Sequence, residues 1–199
     1  MDFTKEFKTI FKENIKRSGC TELLNWLEGT DFFVAPASAK FHCAYKGGLV
    51  EHSVNVYKVM IEKHFCEQMD NSESFAICAL LHDLCKIHFY KVSMRNVKDE
   101  NTGVWKKQSF YMIDDSFPFG HGEKSVFLIE RFMKLATSEA MAIRWHMGGF
   151  DESVKGGSFA PGLAYERYPL AVKLAVSDLE STYINEKKSK NDKKFFIQF

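Results

Sequence analysis

The amino-acid sequence predicts an all-α protein, a bundle of helices interrupted by one small β-hairpin. Three observations lead there. Apolar residues recur at three- and four-residue intervals near the N-terminus and again over 49–65. The run from Phe75 to Leu81 is apolar on all sides, which suits a helix at the centre of a fold. One stretch, 88–114, instead sets Tyr, Val, Phe and Trp about an Asn101-Thr102-Gly103 turn, the pattern of a hairpin inserted between helices. At 199 residues the chain holds one domain with a real core, so a single domain over 1–199 is expected.

Phe3, Phe7, Ile10, Phe11 and Ile15 mark an amphipathic first helix that Gly19 stops. A short helix follows Thr21 and carries Leu23, Leu24, Trp26 and Leu27. Residues 29–48, with Pro36 and Gly47-Gly48, read as a loop. Val50, Val54, Tyr57 and Ile61 make 49–65 a helix, and Asn71 or Ser72 caps the next one. After the hairpin, helices are expected at 122–136 and 138–147. Gly148, Gly149, Gly156, Gly157, Pro161 and Gly162 then mark a long loop. A last helix is expected over about 166–187, before a basic tail over about 187–199. No internal repeat is present.

Hydrophobic residues make up 45% and charged residues 27%, ordinary for a soluble globular protein, and the 19 phenylalanines read as core filling. A net charge of +1 argues against a whole-molecule polyanion binder, though not against a local basic patch. The five cysteines are odd in number and lack CxxC spacing, and charges interrupt every apolar stretch of residues 1–16. A reducing, cytoplasmic setting with free thiols is therefore expected. No apolar run approaches the roughly 20 residues that cross a bilayer, so no membrane partner is expected.

The chemistry starts at His82-Asp83, at the end of the most apolar helix. Burying an imidazole and a carboxylate there is costly unless something pairs them, and a bound cation does so well. His52 lies within a second apolar helix, one turn before Val56. Asp178 follows Leu170 and Leu174 at four-residue steps on a third, so it too points inward. Two imidazoles and two carboxylates suit Mn, Fe, Co, Ni or Zn better than calcium, with Mg admissible.

The segments GGLVEH (47–52), LLHDLCK (80–86) and AVSDLE (175–180) resemble the H…HD…D signature of the HD phosphohydrolase superfamily. The resemblance spans Phe41 to about Ile184 and implies an HD-type helical bundle. His121 and His146 stand between HD and the last Asp, as in the superfamily's two-metal branch, which includes cyclic-dinucleotide phosphodiesterases. That resemblance implies that Asp83 bridges two ions while His121 and His146 complete the second site. The alternative is that one of the two histidines contacts substrate phosphate and a single ion is bound. Asp83 and Lys86 are then the catalytic candidates. The matching lysine of HD enzymes helps neutralise phosphate, which makes Lys86 a substrate contact as well. His42, His64 and His88 match nothing in the pattern and read as surface or loop residues, with His42 and His88 able to flank the pocket.

The expected chemistry is hydrolysis of a phosphoester by metal-activated water, with Lys86 offsetting developing charge. The hairpin carries Tyr90, Lys91, Arg95, Lys98, Trp105, Lys106, Lys107 and Tyr111, which suit either stacking on a nucleobase or a solvated hairpin. Arg95 and Arg144 are the further phosphate-contact candidates. The run FHCAYKGGLVEH (41–52) is similar to the HD domain of a bacterial 3′-to-5′ exoribonuclease that carries an OB fold ahead of it. Stand-alone HD proteins of this size, frequent in bacteria and phages, more often resemble nucleotidases or small phosphodiesterases. A nucleotide or small phosphodiester is therefore the expected partner. Exonuclease action on single-stranded nucleic acid is the second expectation, and a non-catalytic, metal-stabilised binding module the third.

Overall fold

In the computed structural model, which describes residues 1–100 and 102–186, the N-terminal periodicity becomes helix α1 (Phe3–Asn14), capped by the Asp2 carboxylate on the Lys5 amide. It buries Phe7 and Phe11 and ends where Ile15 turns extended. Gly19 therefore does not stop α1. It opens α2 (Cys20–Glu28) at a φ of 88°, and a Cβ there would overlap the Phe132 carbonyl. Only glycine meets both demands.

Helix α3 (Gly48–His64) follows an irregular segment and packs against α1 and against α4 (Ser72–Leu81). The Asn71 side chain caps α4 by accepting from the Ser74 amide. Every residue of α4 from Phe75 to Leu81 is buried, as its all-round apolarity requires. Ile77, Leu80 and Leu81 each contribute about 1.5–3 kcal/mol by leaving water. Around α4 the buried core draws on α1, α2, α3, on α5 (His121–Glu130), α6 (Thr137–Trp145) and on α9 (Pro169–Glu180).

Strands β1 (Tyr90–Lys98) and β2 (Trp105–Ile113) form the inserted antiparallel hairpin, with Tyr90 opposite Ile113 and Arg95 opposite Gln108. Most of its side chains are exposed, so it projects from the helices. Gly103 takes a φ of 69° in the connection, while Asn101 of the expected turn lies outside the described residues.

The later elements depart from expectation in three places. Helix α5 ends at Glu130 rather than near 136, because the Phe132 and Met133 amides both fold back onto the Ile129 carbonyl. The glycine-rich stretch is not all loop, since it holds the short α7 (Glu152–Lys155) and then α8 (Ala160–Arg167), with Pro161 accommodated in the first turn of α8. The last helix does not start near 166. Tyr168 is non-helical, as the residue before a proline prefers, and Pro169 starts α9 afresh. A single π-helical turn, Ser181–Asn185, extends α9, and the expected basic tail lies outside the described residues. No helix among the described residues is long and apolar enough to cross a membrane. All five cysteines are free.

Candidate metal centre

Five of these helices deliver the six candidate ligands to one place, with Asp83 following directly on the end of α4. His52 sits mid-α3, His82 closes α4, His121 begins α5, His146 closes α6 and Asp178 lies on α9. Donor atoms of His52, His82 and Asp83, of His82, His146 and Asp178, and of Asp83, His121 and His146 lie within 4.8 Å of one another in each group. Gly122 makes the α5 contribution feasible, because a Cβ there would overlap the Arg144 carbonyl and push α5 off α6.

Three imidazoles are pinned from behind. His82 Nδ1 lies 2.9 Å from the Ala79 carbonyl and His146 Nδ1 2.6 Å from the Ile143 carbonyl. A carbonyl only accepts, so both Nδ1 atoms carry hydrogen and both Nε2 atoms present lone pairs. His52 Nδ1 meets the Glu186 carboxylate at 2.9 Å. Their Nε2 atoms face inward onto other acceptors. His52 Nε2 is 3.1 Å from Asp178 Oδ1 and 3.3 Å from His82 Nε2. The buried His146 Nε2 has no hydrogen-bond partner. Acceptor facing acceptor in a dry interior is unfavourable unless a cation stands between them.

Asp83 joins the two sides of the cluster. Its Oδ2 faces His82 Nε2 at 3.5 Å, His52 Nε2 at 3.6 Å and the Lys86 ammonium at 2.6 Å. Its Oδ1 faces His121 Nε2 at 2.9 Å and His146 Nε2 at 3.7 Å. Burial works against the charge, yet Lys86 and His82 hold the Asp83 carboxyl well below the usual range. Burial drives His82 down to about 3, so it stays neutral and ready to ligate. His52 behaves oppositely: burial resists its charge, but Glu186 and Asp178 outweigh that and push its pKa up to about 10. The imidazolium so favoured donates to Asp178 and Glu186, which leaves His82 and His146 as the imidazoles presenting inward lone pairs. His121 is likewise raised to about 10, with Cys85 and Asp83 overcoming burial. The mouth of the site is marked by the less buried side chains of His121, Asp178 and Lys86, exposed by 29%, 15% and 11%.

Other candidates fall outside the cluster. The Arg144 guanidinium is committed to Glu123, to Asp151 at 2.8 Å and to Ser153 at 3.0 Å, and it stacks 3.7 Å over Trp145. It braces the 151–153 turn instead of reaching into the site. Arg95 is exposed on β1, five residues beyond Tyr90, about 16 Å at the usual strand rise. His88 is a surface residue paired with Asp31, and His64 plays no part. His42 is not an ordinary loop residue: its ring lies 4.8 Å from that of His52, and burial with the neighbouring His52 lowers its pKa to about 4.

Sequence reasoning missed two neighbours. Glu186 supports His52 and also accepts from Asn55 Nδ2 at 3.2 Å. Cys85 Sγ lies 3.3 Å from His121 Nδ1. Only Cys85 had a signal, its closeness in sequence to His82-Asp83. Of the hairpin residues singled out from the sequence, Tyr90, at its base, is half-buried beside Lys86, whose charge offsets part of the upward push of burial on its hydroxyl.

No family model, no curated protein and no solved structure matches the chain. What the centre can hold is therefore read from its donors. Carboxylate oxygens of Asp83 and Asp178 and inward imidazole nitrogens make up that set. Buried mixed imidazole and carboxylate donors fit a metal ion.

Proposed function

We propose that this chain is a metal-dependent phosphohydrolase that cleaves a phosphoester of a nucleotide or small phosphodiester. The observation that carries the reading is the pair of back-pinned imidazoles, His82 and His146, whose inward Nε2 lone pairs face the Asp83 carboxylate without a donor between them. The order His52, His82-Asp83, His121, His146, Asp178 with Lys86 one turn on, which resembles HD phosphohydrolases, supports the reaction class. His52, His82, Asp83 and Asp178 would hold one ion, and Asp83, His121 and His146 a second. A divalent ion held there lowers the pKa of bound water towards neutrality and polarises phosphoryl oxygens.

The chain's own groups supply the rest. Asp83 and Asp178 stay ionised through the physiological range, because His52, His82 and Lys86 favour their charged forms. Lys86 keeps its proton despite burial, because Asp83 is its neighbour, and it lies towards the mouth, where a phosphate oxygen can share its charge. Tyr90 and the surrounding apolar packing limit water on that side, which strengthens each of these interactions.

The test is hydrolysis of nucleoside phosphates, cyclic nucleotides and a short single-stranded RNA with Mn²⁺, wild type against Asp83→Ala. Turnover of a small substrate that is absent in Asp83→Ala is expected. Asp83-dependent shortening of RNA alone would install an exonuclease, and bound metal with no turnover of anything would install a binding module.

A further inference from the structure

Beside the centre, the loop 39–46 and the two hairpin strands enclose a cavity of about 280 Å³. Tyr45, Tyr111, Val92 and Ser109 line it, with Lys40 and Lys46 at its edge. Val92 and Tyr111 are partners across the hairpin and share the face that looks into the cavity, whereas Phe110 turns to the other face, where Arg95 lies over its ring. Two tyrosine rings thus border one space, and the Tyr111 ring lies 6.5 Å from that of Tyr90. Lys46 has no carboxylate partner among the described residues, while the Lys40 ammonium rests 5.1 Å over the Phe41 ring.

The cavity is tied to the centre at both walls. On the loop, His42 sits two residues from Lys40 and two from Ala44, and its ring abuts that of His52 at 4.8 Å. On the hairpin, Val92 is two residues from Tyr90, which adjoins Lys86; two residues of strand span about 7 Å. A ligand phosphate at Lys86 thus lies about one nucleotide unit from the rings.

We infer that this cavity is the specificity subsite of the enzyme, taking the base and sugar of a nucleotide whose phosphate reaches the centre. Rings that stack on a planar base, and cations that meet an anionic ligand, select a nucleotide over inorganic phosphate or an aliphatic phosphoester. The volume lies at the small end of the about 300–1,000 Å³ of ligand pockets, so it accommodates one nucleotide unit and not a strand. Of the hairpin aromatics, the inner Tyr111 carries recognition, and Trp105 at the far end does not.

The inference deepens the phosphohydrolase reading and rests on it for the phosphate position, but binding can be measured without turnover. Purified protein in excess EDTA is titrated with each nucleoside 5′-monophosphate, with inorganic phosphate and with a short RNA, by calorimetry. Tyr111→Ala and Lys46→Gln are compared with wild type and with Lys98→Gln, at the far end of the hairpin. Neither cavity residue belongs to the buried helical core. A monophosphate should bind wild type and Lys98→Gln equally, and bind Tyr111→Ala and Lys46→Gln about tenfold more weakly. With Mn²⁺ restored, the same two variants should raise KM and leave kcat within a factor of about two. Equal binding by all four proteins, or binding of RNA or phosphate with none of any monophosphate, overturns the subsite. Hydrolysis that is indifferent to Tyr111 and Lys46 rejects the subsite and leaves the centre standing. Groove binding with no Asp83-dependent hydrolysis rejects the phosphohydrolase reading and leaves the nucleotide site.

Discussion

His52 and Glu186 lie 134 residues apart and share a 2.9 Å hydrogen bond, His52 Nδ1 donating to Glu186 Oε1. The bond fixes the ring so that Nε2 points at Asp178 and His82. Carboxylates behind ligating histidines typically contribute 10–100-fold in metal affinity. Glu186→Leu is therefore expected to weaken binding of the first Mn²⁺ or Co²⁺ by that order. Glu186→Gln, which keeps an acceptor oxygen, should recover most of it. Chelator competition reads both values, and equal affinity in wild type and the leucine variant would refute the role.

Lys86 is expected to matter for turnover and not for metal content. Its ammonium meets Asp83 Oδ2, and the predicted task is to share charge with phosphate. Lys86→Gln should lower kcat/KM by about 10²–10³-fold, as removal of one charge-stabilising donor does. Elemental analysis should find the ions still present. A variant that loses its metal together with its activity would make Lys86 a structural partner of Asp83 only.

Away from the centre, Arg17 ties the N-terminal segment to α4 and α6. It donates to Glu139 at 2.7 and 2.8 Å and to Glu73 at 3.2 Å, and Glu139 is fully buried. Removing one partner of a buried pair strands the other charge, at a cost of about 3–5 kcal/mol. Arg17→Met should lose that much in urea denaturation. Arg17→Met/Glu139→Leu should regain a good part of it, because no lone carboxylate remains.

Glu73 gives the pH dependence. Burial acts to raise its pKa, but the Lys16 and Arg17 amides and the Arg17 guanidinium more than reverse that, so it is lowered in the folded protein. A depressed carboxyl stabilises above its unfolded value of about 4.3, and that stabilisation disappears as pH falls through the folded value. The difference in Tm between wild type and Glu73→Gln should thus be constant above about pH 5 and shrink below about pH 4. A difference that grows on acidification would contradict the assignment.

The sequence made the helical side of the fold readable wherever burial leaves a period: α1, α3 and the uniformly apolar α4 lie close to the expected bounds. Pro169 hid a helix boundary, because the helix expected from about 166 runs across it and only the residue before the proline breaks it, while Pro161 and Gly162 made α8 read as loop. His52, His82-Asp83 and Asp178 were legible as candidate ligands because apolar helices carry them to positions where their residue types are costly, and His121 and His146 because they stand in the order of the HD pattern. Glu186 was not, because it follows a π-helical turn that ends the four-residue stepping through Leu174 and Asp178. His42 approaches His52 through an irregular loop, and no periodicity reports on such a contact.

One last consequence belongs to Asp83, whose two oxygens face different histidines. On the two-ion reading proposed above, the ions would be thermodynamically linked through that carboxylate. The first aligns the group for the second and also draws off part of its charge. Whichever effect dominates, reciprocity requires each ion to change the other's affinity by the same factor. Metal titrations of this protein should then follow a cooperative or anticooperative isotherm, and fitting them as independent sites would assign to each half of the centre an affinity that neither possesses alone.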